Sequence, residues 1–133
     1  MLDHLRQRVI DLLEPERVAT LSTCGQAGIQ AEMLACEAHG LILFVLVPLT
    51  SEHLFNLEHE PTVVVTTDKW QLRGVARLLT PAEYPPDLGL LRLPQVAASA
   101  LIAICGHRLQ VGRPDGCGFA ETIDIVLQPA QSH

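Results

Sequence analysis

Two apolar runs joined by one short polar segment, residues 41–67 (LILFVLVPLTSEHLFNLEHEPTVVVTT), constrain this chain more than any other stretch. The first run, residues 41–47, is aliphatic and β-branched with one Phe, and Pro48 stops it because proline brings no N–H to a strand ladder. It predicts a strand buried on both faces. Thr50 and Ser51 then offer hydroxyls that accept bonds from the free N–H groups of a first helical turn, and Glu52 adds favourable negative charge there. A helix is expected from this point, with Leu54 and Leu57, three apart, as its inward stripe. Pro61 ends it by disfavouring the helical conformation at Glu60, and a second strand over residues 62–67 follows at once.

A helix start with two hydroxyls at the end of a buried strand suits an anion, phosphate above all, because unpaired N–H groups and the positive end of the dipole point outward. The same hydroxyls serve equally as plain caps, which on these residues alone is the commoner arrangement.

The rest of the chain reads mainly as strands. Leu2, Leu5, Val9, Leu12 and Leu13 recur at helical spacing, so residues 2–13 predict an amphipathic helix packed on the sheet as a lid. Pro15 ends it. Residues 18–23 begin the sheet, a Gly-flanked loop over 24–28 turns the chain back, and residues 29–36 form the next strand. Ile29, Ala31, Met33 and Ala35 lie on one face of that strand and Gln30, Glu32, Leu34 and Cys36 on the other. Residues 37–40 are expected to turn.

Residues 70–79 alternate, with Trp70, Leu72, Gly74, Ala76 and Leu78 on one face. Lys69, Gln71, Arg73 and Arg77 share the other, the densest positive charge in the chain, which fits a solvated outer face as well as a ligand-facing one. The proline-rich residues 80–95 predict a connector covering a barrel end. Residues 97–111 read either as a strand or as a helix followed by a strand, with 107–111 the secure strand part. Residues 112–118 lack the lysine of a phosphate-binding loop and predict a turn; residues 122–127 close the sheet and 129–133 form a frayed tail. Six or seven strands with short connections, one crossing helix and no βαβ alternation predict a mainly β fold, a small closed antiparallel barrel with flanking helices.

A chain of 133 residues is expected to form one domain. It is 48% hydrophobic but only 4% aromatic, and its mean hydropathy of +0.26 is high enough to predict apolar surface buried against a second copy. The net charge of −6, with Lys69 the only lysine, argues against nucleic-acid binding, which needs a basic face. No apolar stretch approaches the roughly 20 residues that span a bilayer, and no signal-peptide pattern opens the chain, so no membrane association and a cytoplasmic location are expected. Cys24, Cys36, Cys105 and Cys117 form no CxxC pair and read as reduced thiols, with no metal site.

Catalytic constellations are absent from the pattern. There is no GxSxG and no HExxH; Cys105 and His107 sit two apart on one strand and read as packing. His53 and His59, six apart, do not share a helical face as metal ligands would, and both read as partly exposed. What remains is one candidate anion-binding helix end and one basic strand face, so any redox chemistry would come from a cofactor.

Taken in order, the Gly-turn hairpin, "SEHLFNLEHEPTVVV", "WQLRGVARLL" and "ETIDIVL" resemble the pyridoxamine 5′-phosphate oxidase-like family of FMN-binding split barrels, over residues 18–79 with a weaker echo over 108–127. The resemblance implies a homodimer with FMN at its interface and a flavin-dependent oxidoreductase acting on a small molecule. By position, the family's Ser-Arg-Lys phosphate motif falls on Ser51, Glu52 and His53, where only the serine matches. Its second-strand arginine and lysine fall near Gln30 and Ala35, and its flavin-binding glutamine falls on Lys69, with Gln71 and Arg73 on the same face. Thr50, Ser51, His53, Lys69, Gln71 and Arg73 are thus the implied cofactor contacts. The missing basic residues argue against true pyridoxamine phosphate oxidase activity and open an alternative: a non-catalytic barrel dimer that has lost FMN and binds another ligand. His at the Lys position resembles haem-utilisation branches of the superfamily, which makes haem one such ligand.

Overall fold

The structure, a computed structural model, describes residues 2–125. Its element order is α1 (Asp3–Leu13), β1 (Val18–Gly25), β2 (Gly28–His39), β3 (Ile42–Pro48), α2 (Glu52–Leu57), β4 (Thr62–Thr66), β5 (Trp70–Leu78), β6 (Ser99–Gly112) and β7 (Phe119–Asp124), with three 3-10 turns between β5 and β6. All pairings are antiparallel, in the order β3-β2-β1-β4-β5-β6-β7, and β3 also pairs with β6. Strands β1 to β6 therefore close a six-stranded barrel, and β7 adds to it from outside the closure. The expected mainly β barrel is found.

Strand alternation fills the barrel. Leu21, Leu43, Val47, Val65, Leu72, Ile102, Ile104 and Leu109 are fully or almost fully buried in one cluster, each aliphatic side chain contributing about 1.5–3 kcal/mol of burial. Helix α1 is more than a lid, since Val9 and Leu13 are wholly buried in this cluster and the Trp70 indole N–H donates to the Leu12 carbonyl at 3.0 Å. A tryptophan needs such a partner when buried.

Several expectations are corrected. Strand β2 runs on to His39, so the turn before β3 is shorter than predicted. Residues 99–112 form one strand, without the helical alternative, because β6 is required on both sides: β5 along one edge, β3 and then β7 along the other. The proline-rich connector does not cover a barrel end. Its Leu88 and Leu90 pack with Phe44, Leu46 and Leu101 as a second apolar cluster on the outside of β3 and β6. This is why β3 is buried on both faces. Leu78 is 57% exposed rather than inward. The last strand is found to Asp124; the end of the stretch expected over 122–127 and the tail at 129–133 lie outside the described residues.

Gly74 permits the tight crossing of β5 and β6, where the pairing slips at a bulge between Arg73 and Gly74. A Cβ there would lie 2.4 Å from the Cys105 carbonyl oxygen.

Candidate functional site

The barrel wall opens between β2 and β3. Strands β2 and β3 pair only from Cys36↔Val45 to His39↔Ile42, after which β3 continues along β6 to Pro48 and leaves residues 28–35 of β2 without a β3 partner. Helix α2 enters this gap and packs on β1 and β2. Paired residues of an antiparallel ladder share a face. Glu32 therefore points to the same side as buried Leu21, and Gln30 to the same side as buried Thr23. The inward row of β2 thus changes from Cys36 and Leu34 to Glu32 and Gln30 where the wall gives out. The result is a groove of about 370 Å³ lined by Gln30, Ala31, Glu32, Pro48, Thr50, Ser51, Glu52 and His53.

Ser51 is the N-cap of α2: its Oγ accepts from the His53 backbone N–H at 3.1 Å. Thr50 is exposed beside it and makes no cap bond. The helix buries a polar face, contrary to the expected Leu54 and Leu57 stripe, which only flanks the core. His53 is 1% exposed and Asn56 is fully buried, so the reading of His53 as partly exposed is corrected. His53 and Asn56, three apart, stand on one helical face above the β1–β2 hairpin.

The hydrogen-bond chain here fixes protons. Asn56 Oδ1 accepts from the Ala27 backbone N–H at 2.9 Å, and Nδ2 donates to the Gly28 carbonyl at 3.0 Å and to Thr23 Oγ1 at 3.1 Å. The Ala27 donor leaves no freedom to exchange the amide oxygen and nitrogen. Thr23 Oγ1, already accepting from Asn56, lies 2.7 Å from His53 Nδ1 and has its own proton to place. It donates to Nδ1. Neutral His53 therefore carries its hydrogen on Nε2, which faces the groove 3.8 Å from Glu32 Oε1, too far for a hydrogen bond. Burial holds the His53 pKa below its ordinary value, with the Glu32 charge pulling weakly the other way.

Among the described residues no lysine or arginine lines this groove, whereas Glu32 and Glu52 do. A phosphate dianion at the start of α2 would meet two carboxylates and no guanidinium fork, losing charge-assisted bonds of roughly 1.5–3 kcal/mol each. The FMN phosphate does not fit the side chains present at this position.

Of the residues singled out by sequence, Thr50, Ser51 and His53 meet in the groove. Lys69 and Gln71 line a separate hollow of about 210 Å³ at the β4–β5 turn, together with Arg113. That turn lies at the far end of the sheet from α2, since β1 meets β4 at Thr23↔Val63 near the helix and at Thr20↔Thr66 away from it. Arg73 stands on the outer sheet face between Val64 and Arg108, exposed and, among the described residues, without an ion pair. Glu32, Thr23 and Asn56 were not singled out. The inward register of Glu32 was a signal in the sequence; the six-residue helix carrying His53 and Asn56 was too short to give one, and Thr23 carried none.

No protein-family model and no curated protein sequence matches the chain. Solved structures do. A Clostridium acetobutylicum protein related to general stress protein 26 of B. subtilis, of the pyridoxinephosphate oxidase family, superposes with a TM-score of 0.64 at 10% identity, over 94% of this chain and 96% of that one. A heme binding protein from Mycobacterium smegmatis gives 0.61 at 16% identity, over 94% of this chain and 58% of its own. An F420 reductase gives 0.59 at 15% identity, over 75% and 94%. The chain has the split-barrel fold of pyridoxamine 5′-phosphate oxidase-like proteins.

Proposed function

We propose that the protein is a small-molecule-binding split barrel whose ligand, of flavin type, lies in the groove between β2 and α2 without a phosphate gripped at the helix start. The observation that carries this reading is the lining of that groove: hydroxyls, an amide, a histidine N–H and two carboxylates, with no cation. Fold likeness to an F420 reductase and to a heme binding protein supports a ligand-binding role for such a barrel. The chain's side chains bind and orient; any electron transfer belongs to the bound group.

The protein acts as a homodimer in this reading. Val18, Ile29 and Met33 are 50%, 81% and 72% exposed on the outer face of the β1–β2 hairpin, an apolar patch suited to a second copy. No helix among the described residues is long and apolar enough to cross a membrane. Four free thiols accord with the reducing cytoplasm.

A second reading, an FMN-dependent oxidoreductase on an unknown small molecule, is favoured by the uncommitted Arg73 and by Lys69 with Gln71 at the edge of the same sheet face. A partner copy would then bring these cations to the cofactor phosphate. Titration of the purified protein with riboflavin, FMN and haem separates the readings. Flavin binding without demand for the phosphate is expected; FMN binding that collapses in Arg73→Ala favours the oxidoreductase. A Soret band on adding haem favours the haem alternative, and failure of all three ligands to bind refutes a ligand-binding role of this kind.

A further inference from the structure

His53 offers one hydrogen into the groove, on Nε2, and Glu32 Oε1 stands 3.8 Å from it. Its other nitrogen is committed to Thr23 and its side chain is 2% exposed, so the imidazole cannot turn to seek another partner. The imidazole N–H faces the groove, so a group bound there is placed to accept from Nε2. Next to it, the Glu32 carboxylate is only an acceptor and asks for a donor.

A single oxygen can answer both demands. A hydroxyl accepts from the imidazole N–H with a lone pair and donates its proton to the carboxylate. An ammonium group has no lone pair for Nε2–H, and a phosphate dianion has no proton for Glu32 and is repelled by it and by Glu52. Gln30 and Ser51, in the same lining, extend this pattern to neighbouring hydroxyls.

We infer that the groove between β2 and α2 selects a neutral hydroxyl-bearing ligand, bridged by one hydroxyl between His53 Nε2 and Glu32, and discriminates against the phosphate ester of the same ligand. The inference rests on the ligand-binding reading above and deepens it: the polyol side chain of a flavin enters the groove, and its esterified form is disfavoured.

Riboflavin and FMN are the natural pair of probes, since they differ only in the phosphate. Fluorescence titration of the full-length protein is expected to give a riboflavin Kd at least tenfold below that of FMN at low salt, of the order set by a dianion a few ångströms from a carboxylate in water. The gap narrows at high ionic strength, because Glu32 and Glu52 are solvent-accessible. In Glu52→Gln, whose side chain lies outside the bridge, FMN affinity rises about fivefold while riboflavin affinity changes by less than a factor of two. The Glu52 side chain is exposed, so the variant keeps its fold, checked by circular dichroism.

Tighter binding of FMN than of riboflavin by the wild-type protein overturns the inference and leaves flavin binding standing. An unchanged FMN-to-riboflavin ratio in Glu52→Gln also overturns it. Absence of saturable riboflavin binding overturns it as well, and haem titration of the same preparation then tells whether the groove binds another ligand.

Discussion

Thr23 has a single hydroxyl proton, and its destination sets the state of His53. Among the described residues His53 Nδ1 is the acceptor within reach of that proton, so the hydroxyl donates to it, and a protonated imidazole would break that arrangement. Burial likewise holds the His53 pKa down. The unfolded imidazole takes up its proton near pH 6.5, so below that pH the unfolded chain binds more protons than the fold does. Stability therefore falls as pH drops below about 6.5 and levels off once the lower folded-state pKa is passed. Urea denaturation at pH 7.5 and 5.0 should show a larger loss in wild type than in His53→Gln, and equal losses would remove His53 as the source. Asn56 carries more of the local structure. Asn56→Ala leaves the Ala27 N–H, the Gly28 carbonyl and Thr23 short of partners, and is expected to cost about 3 kcal/mol at unchanged denaturant slope.

Among the elements, β5 and β6 depend on a glycine at their crossing. The Cβ of Gly74→Ala would approach the Cys105 carbonyl oxygen, a backbone atom that cannot swing aside, so a loss of about 3 kcal/mol or failure to fold is expected in thermal melts. A melting temperature within 2–3 °C of wild type would contradict the packing described. Position 74 was legible in the sequence as part of an alternating strand, and the strands were legible generally because a barrel wall is buried on its inner face and repeats every second residue. Ser51 as the α2 cap was legible for a similarly local reason, hydroxyl chemistry ahead of an acidic first turn. The polar burial of His53 and Asn56 was not, because a helix of six residues gives too short a period to separate its faces. Nor was the position of the 80–98 connector, whose leucines have no periodicity and find their partners, Phe44 and Leu46, only in the folded barrel. The separation of Lys69 from Ser51 was equally hidden, since it depends on which ends of β1 and β4 lie together.

At the level of the whole molecule, the uncovered apolar side chains of the β1–β2 hairpin predict self-association. Ile29→Asp/Met33→Asp, two charges on that exposed face, should shift the mass measured by light scattering from dimer to monomer without loss of strand content; an unchanged mass would place any dimer contact elsewhere. The sheet order carries a further consequence for how the chain is made. Until Ser99 is reached, the finished strands form an open five-stranded sheet whose two outer members, β3 and β5, both lack a neighbour, and a single later strand, β6, satisfies both. A nascent chain therefore leaves the ribosome with two sticky borders that no internal segment can yet cover. Synthesis arrested before residue 99 should yield an insoluble product, or one held by a chaperone, while release beyond residue 112 restores solubility in one step.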